Sequence, residues 1–148
     1  MSTPPESGTK RPRLVPDGIP ANKRDLAQRG GLAAVGLAAC TAIFGAVVLA
    51  LTSSTFFGVL GFMCITIGVP LLPILGIPAK SGGVRWIIAL AGSGAMWWWI
   101  GQLSAARVRT FVIAGWSEWG KEFGLYAGAV AIGVVGAIII AARALGAL

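Results

Sequence analysis

The sequence predicts an all-α integral membrane protein with about four transmembrane helices in an antiparallel bundle and a disordered, basic N-terminal tail. Two observations predict this class. Hydrophobic residues make up 56% of the 148 residues and charged residues only 11%, which lies far outside the range of water-soluble domains. In addition, three long runs contain no acidic or basic residue, at 30–79, 86–106 and 123–142. Uncharged runs of this length are typical of helices that cross a bilayer.

The lengths of the runs set the number of spans. A hydrocarbon core about 30 Å thick needs about 20 residues of helix. The second and third runs therefore fit one span each, at about 86–103 and 123–142. The first run fits two spans, at about 31–51 and 56–77. The polar residues 52–55 separate those two spans, which are expected to form an antiparallel hairpin.

Composition assigns the remaining segments. Residues 1–21 are rich in proline, serine, glycine and charge, which predicts a disordered cytoplasmic tail. The four-span membrane domain then covers residues 22–148. Within it, residues 105–121 mix tryptophan and other apolar residues with charges, a pattern that predicts an interfacial segment along the outer surface of the membrane.

The lysine and arginine residues predict the orientation. With four spans and a cytoplasmic N-terminus, the tail, the loop between the second and third spans, and the C-terminus hold six, two and one of the 12 basic residues. This distribution agrees with the positive-inside rule. We therefore expect both termini on the cytoplasmic side of the inner (plasma) membrane. The frequent alanine and glycine in the spans favour a bacterial origin.

Small residues recur at every fourth position in two spans. They are Ala34, Ala38, Ala42 and Ala46 in the first span, and Ala129, Gly133 and Ala137 in the last. Small side chains let helices approach closely in lipid, so both rows are predicted helix-packing faces. The alternative for the first row is a chance pattern in an alanine-rich chain.

Two prolines, Pro70 and Pro73, predict a break in the second span. Proline removes a backbone donor and clashes with the preceding turn of a helix. A broken helix at membrane depth can line a transport site, whereas prolines near a helix end more often mark its exit.

Aromatic residues gather at the outer face in this topology. The tryptophans assigned to it are Trp97, Trp98, Trp99, Trp116 and Trp119. Aromatic rings settle at the level of the headgroups, so these residues predict an interface belt or a docking surface for a membrane protein or lipid.

No catalytic, cofactor or metal site is expected. The chain has no histidine, and its five acids lie outside the predicted spans. Glu118 and Glu122 are more often solvated or paired than catalytic. Cys40 and Cys64 are expected to pack as small apolar residues. Residues 37–40 resemble the lipobox of bacterial lipoproteins, in which the cysteine is lipidated, but here an apolar helix continues beyond Cys40.

Three functions remain as hypotheses. The favoured one is a non-catalytic accessory or structural subunit of a larger inner-membrane complex, with membrane lipids and other membrane subunits, or further copies of itself, as partners. The second is a self-associating pore former resembling phage holins. The third is a small carrier for a neutral or hydrophobic solute, although the chain lacks the intramembrane glutamate of the small multidrug transporters. Nucleic acid is not an expected partner, because topology accounts for the basic residues.

Overall fold

The computed structural model describes residues 18–75, 82–111, 114–144 and 146, and in this part of the chain all regular structure is helical. The helices are α1 (Ile19–Leu51), α2 (Thr55–Gly68), α3 (Leu71–Ile74), α4 (Gly83–Val108) and α5 (Trp116–Ala144). The all-α class is thus confirmed for these residues. Two stretches, Pro20–Leu51 and Trp116–Ile140, are long and apolar enough to cross a bilayer. α4 has sufficient length, but tryptophan and glycine lower its mean hydropathy.

α1 begins well before the predicted span 31–51. Pro20 lies in its first turn, where the missing N–H group breaks no intrahelical hydrogen bond. The last residues of the predicted tail, 19–21, are therefore helical, while residues 1–17 lie outside the described residues. With 33 residues, α1 is about 50 Å long, so it extends beyond a bilayer core at its N-terminal side.

α4 runs antiparallel to α1. Near its C-terminus, Gly101 lies against Gly30 and Ala34 of α1. Further back along α4, residues 90–97 line one cavity with residues 35–43 of α1. Later residues of α1 thus contact earlier residues of α4. α4 therefore begins at the end of the bundle where α1 ends.

α2 enters the bundle from this same end and stops near its middle. It follows α1 after the three residues 52–54, and its 14 residues extend only about 21 Å. Its last residue, Gly68, packs against Ala38 and Ala42, near the midpoint of α1. A helix of this length is shorter than the thickness of a bilayer core, which is about 30 Å.

After a turn at residues 69–70, α3 leads the chain back. Leu71 packs on Gly92 of α4, and Leu72 shares a small cavity with Trp86, near the start of α4. Because α4 begins at the end from which α2 entered, α2 and α3 form a re-entrant hairpin. The predicted second span 56–77 covers this hairpin, and its last two residues lie outside the described part.

α5 runs parallel to α1. Its first residue, Trp116, donates a hydrogen bond to Asp25 near the start of α1 at 3.3 Å. At its other end, residues 130–142 line a groove with the re-entrant hairpin. The residues predicted to form an interfacial segment, 105–121, are divided between the last turn of α4, a connection at 109–115 and the first turn of α5.

The two ends of the bundle differ in charge. We call one the basic end, because it holds the side chains Lys23, Arg24, Arg29, Arg107, Arg109 and Lys121. The opposite end, where α2 enters and α4 begins, is called the hairpin end. It carries Arg85 and Arg143 among the described basic residues.

The described helices do not confirm the predicted count of four spans, since two of them are long and apolar enough to cross a membrane. Four spans would place Asp25 and Trp116 at opposite membrane faces, yet their side chains are hydrogen bonded. Three long helices traverse the bundle, so α1 starts and α5 ends at opposite ends of it. The uncharged run 30–79 has the length of two spans, but its second half contains the turn at residues 69–70 and forms a hairpin.

The buried core lies toward the basic end. Its residues come from α1, α4 and α5 and include Leu26, Ala34, Trp97, Val108 and Trp119. Elsewhere the large apolar side chains are mostly exposed, and the apolar windows of α1 and α5 are only 17% and 6% buried. A helix in the core of a water-soluble protein would show the opposite pattern.

Candidate functional site: an apolar groove beside the re-entrant hairpin

The turn at the tip of the hairpin is held by two side chains of α4. The indole Nε1 of Trp97 donates a hydrogen bond to the carbonyl oxygen of Gly68 at 3.0 Å. The hydroxyl of Ser93 accepts a hydrogen bond from the backbone N–H of Leu71 at 3.2 Å. Both side chains are buried, with 3% and 2% exposure. They satisfy backbone groups that the interrupted helix would otherwise leave unpaired inside the bundle.

The predicted break residues lie at this turn. α2 ends at Gly68, Pro70 directly precedes α3, and Pro73 lies within α3. Proline fits both of these positions at the start of α3, because its fixed φ angle suits the beginning of a helix. Its missing N–H also falls where no intrahelical partner exists.

The predicted packing row of α1 is divided between two neighbours. Ala34 is fully buried against Gly101 of α4, whereas Ala38 and Ala42 pack against Gly68 of α2. Ala46 is exposed and does not take part in these contacts. The row is thus not one seam, since α1 meets α4 along its N-terminal half and α2 along its C-terminal half.

The closest helix contacts involve glycines that the four-residue spacing did not identify. A Cβ atom added at Gly45 of α1 would lie 2.5 Å from the carbonyl oxygen of Gly61 in α2, and one at Gly61 would lie 2.8 Å from that of Gly45. Gly30 and Gly101 form a similar pair between α1 and α4. The sequence signal for these contacts was the presence of glycines in the uncharged runs. That signal is weak, because the runs also contain glycines at which an added Cβ atom would meet nothing within 4 Å.

The predicted packing row of α5 is exposed and is not packed tightly against another helix. Ala129, Gly133 and Ala137 are exposed, and a Cβ atom at Gly133 would meet nothing within 4 Å. Two of these residues, Gly133 and Ala137, line a groove that also contains Pro70 and Pro73. The structure thus brings together two predicted sets of residues from distant parts of the chain.

This groove has a volume of about 780 Å³. It runs between the hairpin and α5, and its lining is Phe62, Thr66, Pro70, Pro73, Ile74, Val130, Gly133, Val134, Ala137, Ile138 and Ala142. The one polar side chain, Thr66, donates its hydroxyl to the carbonyl oxygen of Phe62 at 2.8 Å. The groove therefore presents almost only hydrocarbon and is suited to an apolar occupant.

A smaller cavity of about 170 Å³ adjoins the groove toward the hairpin end. It shares Phe62, Thr66 and Pro73 with the groove and reaches Trp86. On the other wall, the exposed Arg143 follows the lining residue Ala142 in the last turn of α5. The apolar groove therefore leads toward the charged and aromatic rim of the hairpin end.

The tryptophans of the predicted belt do not form one surface. Trp97 and Trp119 are core residues, 3% and 4% exposed, and the indole of Trp119 donates a hydrogen bond to the carbonyl oxygen of Gly101 at 3.1 Å. Trp98, Trp99 and Trp116 remain exposed. Trp97 is thus separated from its neighbours Trp98 and Trp99, because a helix turns consecutive side chains to different faces.

The acidic residues of the basic end are paired. Arg29 lies 3.2 Å from Asp25, Lys121 lies 3.7 Å from Glu118, and Arg107 lies 3.6 Å from Glu122, measured between charged atoms. Arg107 also donates a hydrogen bond to the hydroxyl of Tyr126 at 3.3 Å. That hydrogen bond, followed by the attraction of Glu122, raises the pKa of Arg107. Because arginine is already charged at neutral pH, this shift does not change its protonation state. The cluster is a set of surface salt bridges.

Among the described residues, histidine, cysteine and carboxylate side chains form no cluster of three or more that could hold a metal ion. Cys40 is exposed and Cys64 is half-buried, and both are free thiols. The structure thus brings neither cysteine together with other metal-ligating side chains in the part of the chain that it describes.

In comparisons with known proteins, no family model, no curated protein and no solved structure matches this chain.

Proposed function

We propose that this chain is a non-catalytic subunit of a larger complex in the bacterial inner membrane. The observation that carries the proposal is the unpartnered outer face of α5. Leu125, Ile132 and Ile140 are 71%, 75% and 70% exposed, which is costly in water and favourable in contact with lipid or another membrane helix.

Small residues of α5 support a helix partner over lipid alone at this face. A Cβ atom at Gly124, Gly128 or Gly136 would meet nothing within 4 Å. Glycine in a helix costs about 0.5–1 kcal/mol relative to alanine. Three such positions without an internal contact are understandable if the backbone of a second transmembrane helix approaches there.

The orientation follows from the two ends of the bundle. The basic end holds most of the described lysine and arginine residues, and the tail contributes Lys10, Arg11 and Arg13 to the same side. The positive-inside rule then places the basic end in the cytoplasm. α1, α4 and α5 are the transmembrane spans, α2 and α3 form a re-entrant hairpin from the opposite face, and the C-terminus lies outside the cytoplasm.

Reporter fusions test this topology. Alkaline phosphatase, which is active outside the cytoplasm, is expected to be active when fused after Leu148 and inactive when fused before Met1. A fluorescent protein that folds in the cytoplasm should give the reverse pattern. Cytoplasmic signals at both termini would refute three spans and restore an even number.

Affinity purification tests the assembly. The tagged chain, expressed from its own locus and extracted in mild detergent, is expected to retain stoichiometric partner chains. Gly128→Leu should reduce their recovery, because the new side chain fills the proposed contact. Gly58→Leu on α2 is the matched control, since a Cβ atom at Gly58 also meets nothing within 4 Å. A clean monomer at native expression, or equal recovery with both variants, would count against the proposal.

A carrier for a hydrophobic solute is the second candidate, favoured by the apolar groove at Pro70 and Pro73. It predicts substrate-dependent flux in liposomes that contain the purified chain alone. Replacement of both prolines by alanine should abolish that flux, whereas an accessory subunit gives no flux with or without them.

A further inference from the structure

We propose that the groove between the re-entrant hairpin and α5 binds an anionic phospholipid. One acyl chain lies along the groove, and the phosphate group lies at the hairpin end near Arg143. This inference rests on the proposed placement of the chain in a membrane, but it does not depend on the chain having protein partners.

The lining of the groove selects an apolar occupant. Its volume is about 780 Å³. The one hydroxyl in its wall, that of Thr66, already donates a hydrogen bond to a backbone carbonyl oxygen. A polar solute would lose its hydration there without gaining hydrogen bonds in return. Hydrocarbon loses nothing by entering, and it fills space that the protein side chains leave open.

The shape of the hairpin wall favours an acyl chain over a partner helix. That wall consists of the end of α2, the turn at residues 69–70 and the four residues of α3. Helices pack when regular ridges of side chains enter regular grooves, and an interrupted wall with two proline rings offers no such ridges. A flexible acyl chain can follow this surface because its bonds rotate freely.

The charges at the hairpin end select an anionic headgroup. Arg85 and Arg143 are exposed there, and the three described acids, Asp25, Glu118 and Glu122, all lie at the basic end in ion pairs. Within the described residues, the hairpin end thus has positive charge without a carboxylate to balance it. Arg143 directly follows Ala142, which lines the groove. A phosphate at the mouth of the groove would therefore lie near the guanidinium group of Arg143.

Native mass spectrometry of the purified full-length chain tests the proposal directly. The probe is an equimolar mixture of phosphatidylglycerol and phosphatidylcholine with identical acyl chains, added to the protein in mild detergent. We expect one phosphatidylglycerol to remain bound preferentially. Arg143→Gln should lower its retention about fivefold, the factor expected for one basic residue near the headgroups.

Substitutions in α5 test the position of the acyl chain. Gly133→Leu places a side chain in the groove and should reduce retention of both lipids. Gly128→Leu is the matched control on the outer face of the same helix and should retain phosphatidylglycerol as the unmodified chain does. Circular dichroism verifies that both variants are equally helical.

Three results would overturn the proposal. They are equal retention of the two lipids, unchanged retention in both Gly133→Leu and Arg143→Gln, and equal losses in Gly133→Leu and Gly128→Leu. A photoreactive group at position 137 adds a further test: cross-links to phosphatidylglycerol support the lipid, whereas cross-links to a second protein chain assign the groove to a helix. These experiments use the isolated chain. A negative result would therefore refute lipid binding without refuting the proposed assembly, which the affinity purification tests separately.

Discussion

Gly101 of α4 packs closely against the backbone of α1 toward the basic end, and its replacement by alanine should separate α1 from α4. An added Cβ atom would lie 2.5 Å from the carbonyl oxygen of Gly30, 2.6 Å from the Cβ atom of Ala34 and 2.9 Å from the Cα atom of Gly31. Two of these three atoms belong to the backbone of α1. The backbone cannot rotate away as a flexible side chain would, so the helices must move apart.

The expected cost combines three contributions. Overpacking by one methyl group costs about 1–3 kcal/mol. Separation also weakens the hydrogen bond from Trp119 to the Gly101 carbonyl oxygen, worth about 1 kcal/mol, because Trp119 packs in the same core. Alanine returns up to about 1 kcal/mol through its higher helix propensity. We therefore expect Gly101→Ala to lower the free energy of unfolding by about 1–3 kcal/mol.

Unfolding in mixed micelles, titrated with sodium dodecyl sulfate and followed by circular dichroism, measures this change. Gly128→Ala is the matched control, because a Cβ atom there meets nothing within 4 Å. The control should be as stable as the unmodified chain or slightly more stable through helix propensity. If Gly101→Ala unfolds at the same detergent fraction as Gly128→Ala, the close approach of α1 and α4 is refuted.

Three further substitutions test the hairpin and the packing row by the same measurement. Trp97→Phe removes the donor to Gly68 and should cost about 1–3 kcal/mol for a buried carbonyl left unpaired, whereas Trp99→Phe, at an exposed tryptophan, should change stability little. Ser93→Ala should cost about 1 kcal/mol through the bond to the N–H of Leu71, and Ser93→Thr, which keeps a hydroxyl, separates loss of the bond from loss of volume. Ala34→Leu should destabilise the bundle because Ala34 is fully buried, while the same substitution at the exposed Ala46 should be nearly neutral, so equal effects would contradict the division of the row.

Uncharged runs and prolines are the sequence features that can be compared with the helix boundaries of the structure. The uncharged runs correspond to helices, and the polar residues 52–54 separate α1 from α2 as expected. The helical path ends next to Pro70, because proline cannot continue the backbone hydrogen bonding of the preceding turn. These features are local, and a local pattern of residues is sufficient to predict them.

The return of the hairpin could not be predicted in the same way. A half-crossing helix and a full span share the same apolar composition, so hydropathy does not distinguish them. What holds the hairpin at mid-depth is the contact of Gly68 with Trp97, 29 residues later in the chain. Likewise, of three consecutive tryptophans in α4, only Trp97 faces the core, and the sequence does not state which side of α4 is covered.

The candidate groove depends on the same long-range arrangement. Pro70 and Pro73 were identified as a break, and Gly133 and Ala137 as part of a packing row, each from its own neighbourhood in the sequence. Their meeting in one groove requires that α3 folds back and that α5 runs parallel to α1. Neither condition follows from composition or spacing, because the contacts that fix them join residues 22 and 91 positions apart in the chain.

The order in which the chain is made gives the re-entrant hairpin a particular requirement. Trp97 and Ser93 belong to α4, which emerges from the ribosome after α2 and α3 are complete. Until α4 is inserted, the Gly68 carbonyl and the Leu71 N–H lack these partners, and an unpaired backbone group in hydrocarbon costs several kcal/mol. In the proposed membrane placement, the hairpin can therefore complete these contacts only after α4 has been inserted.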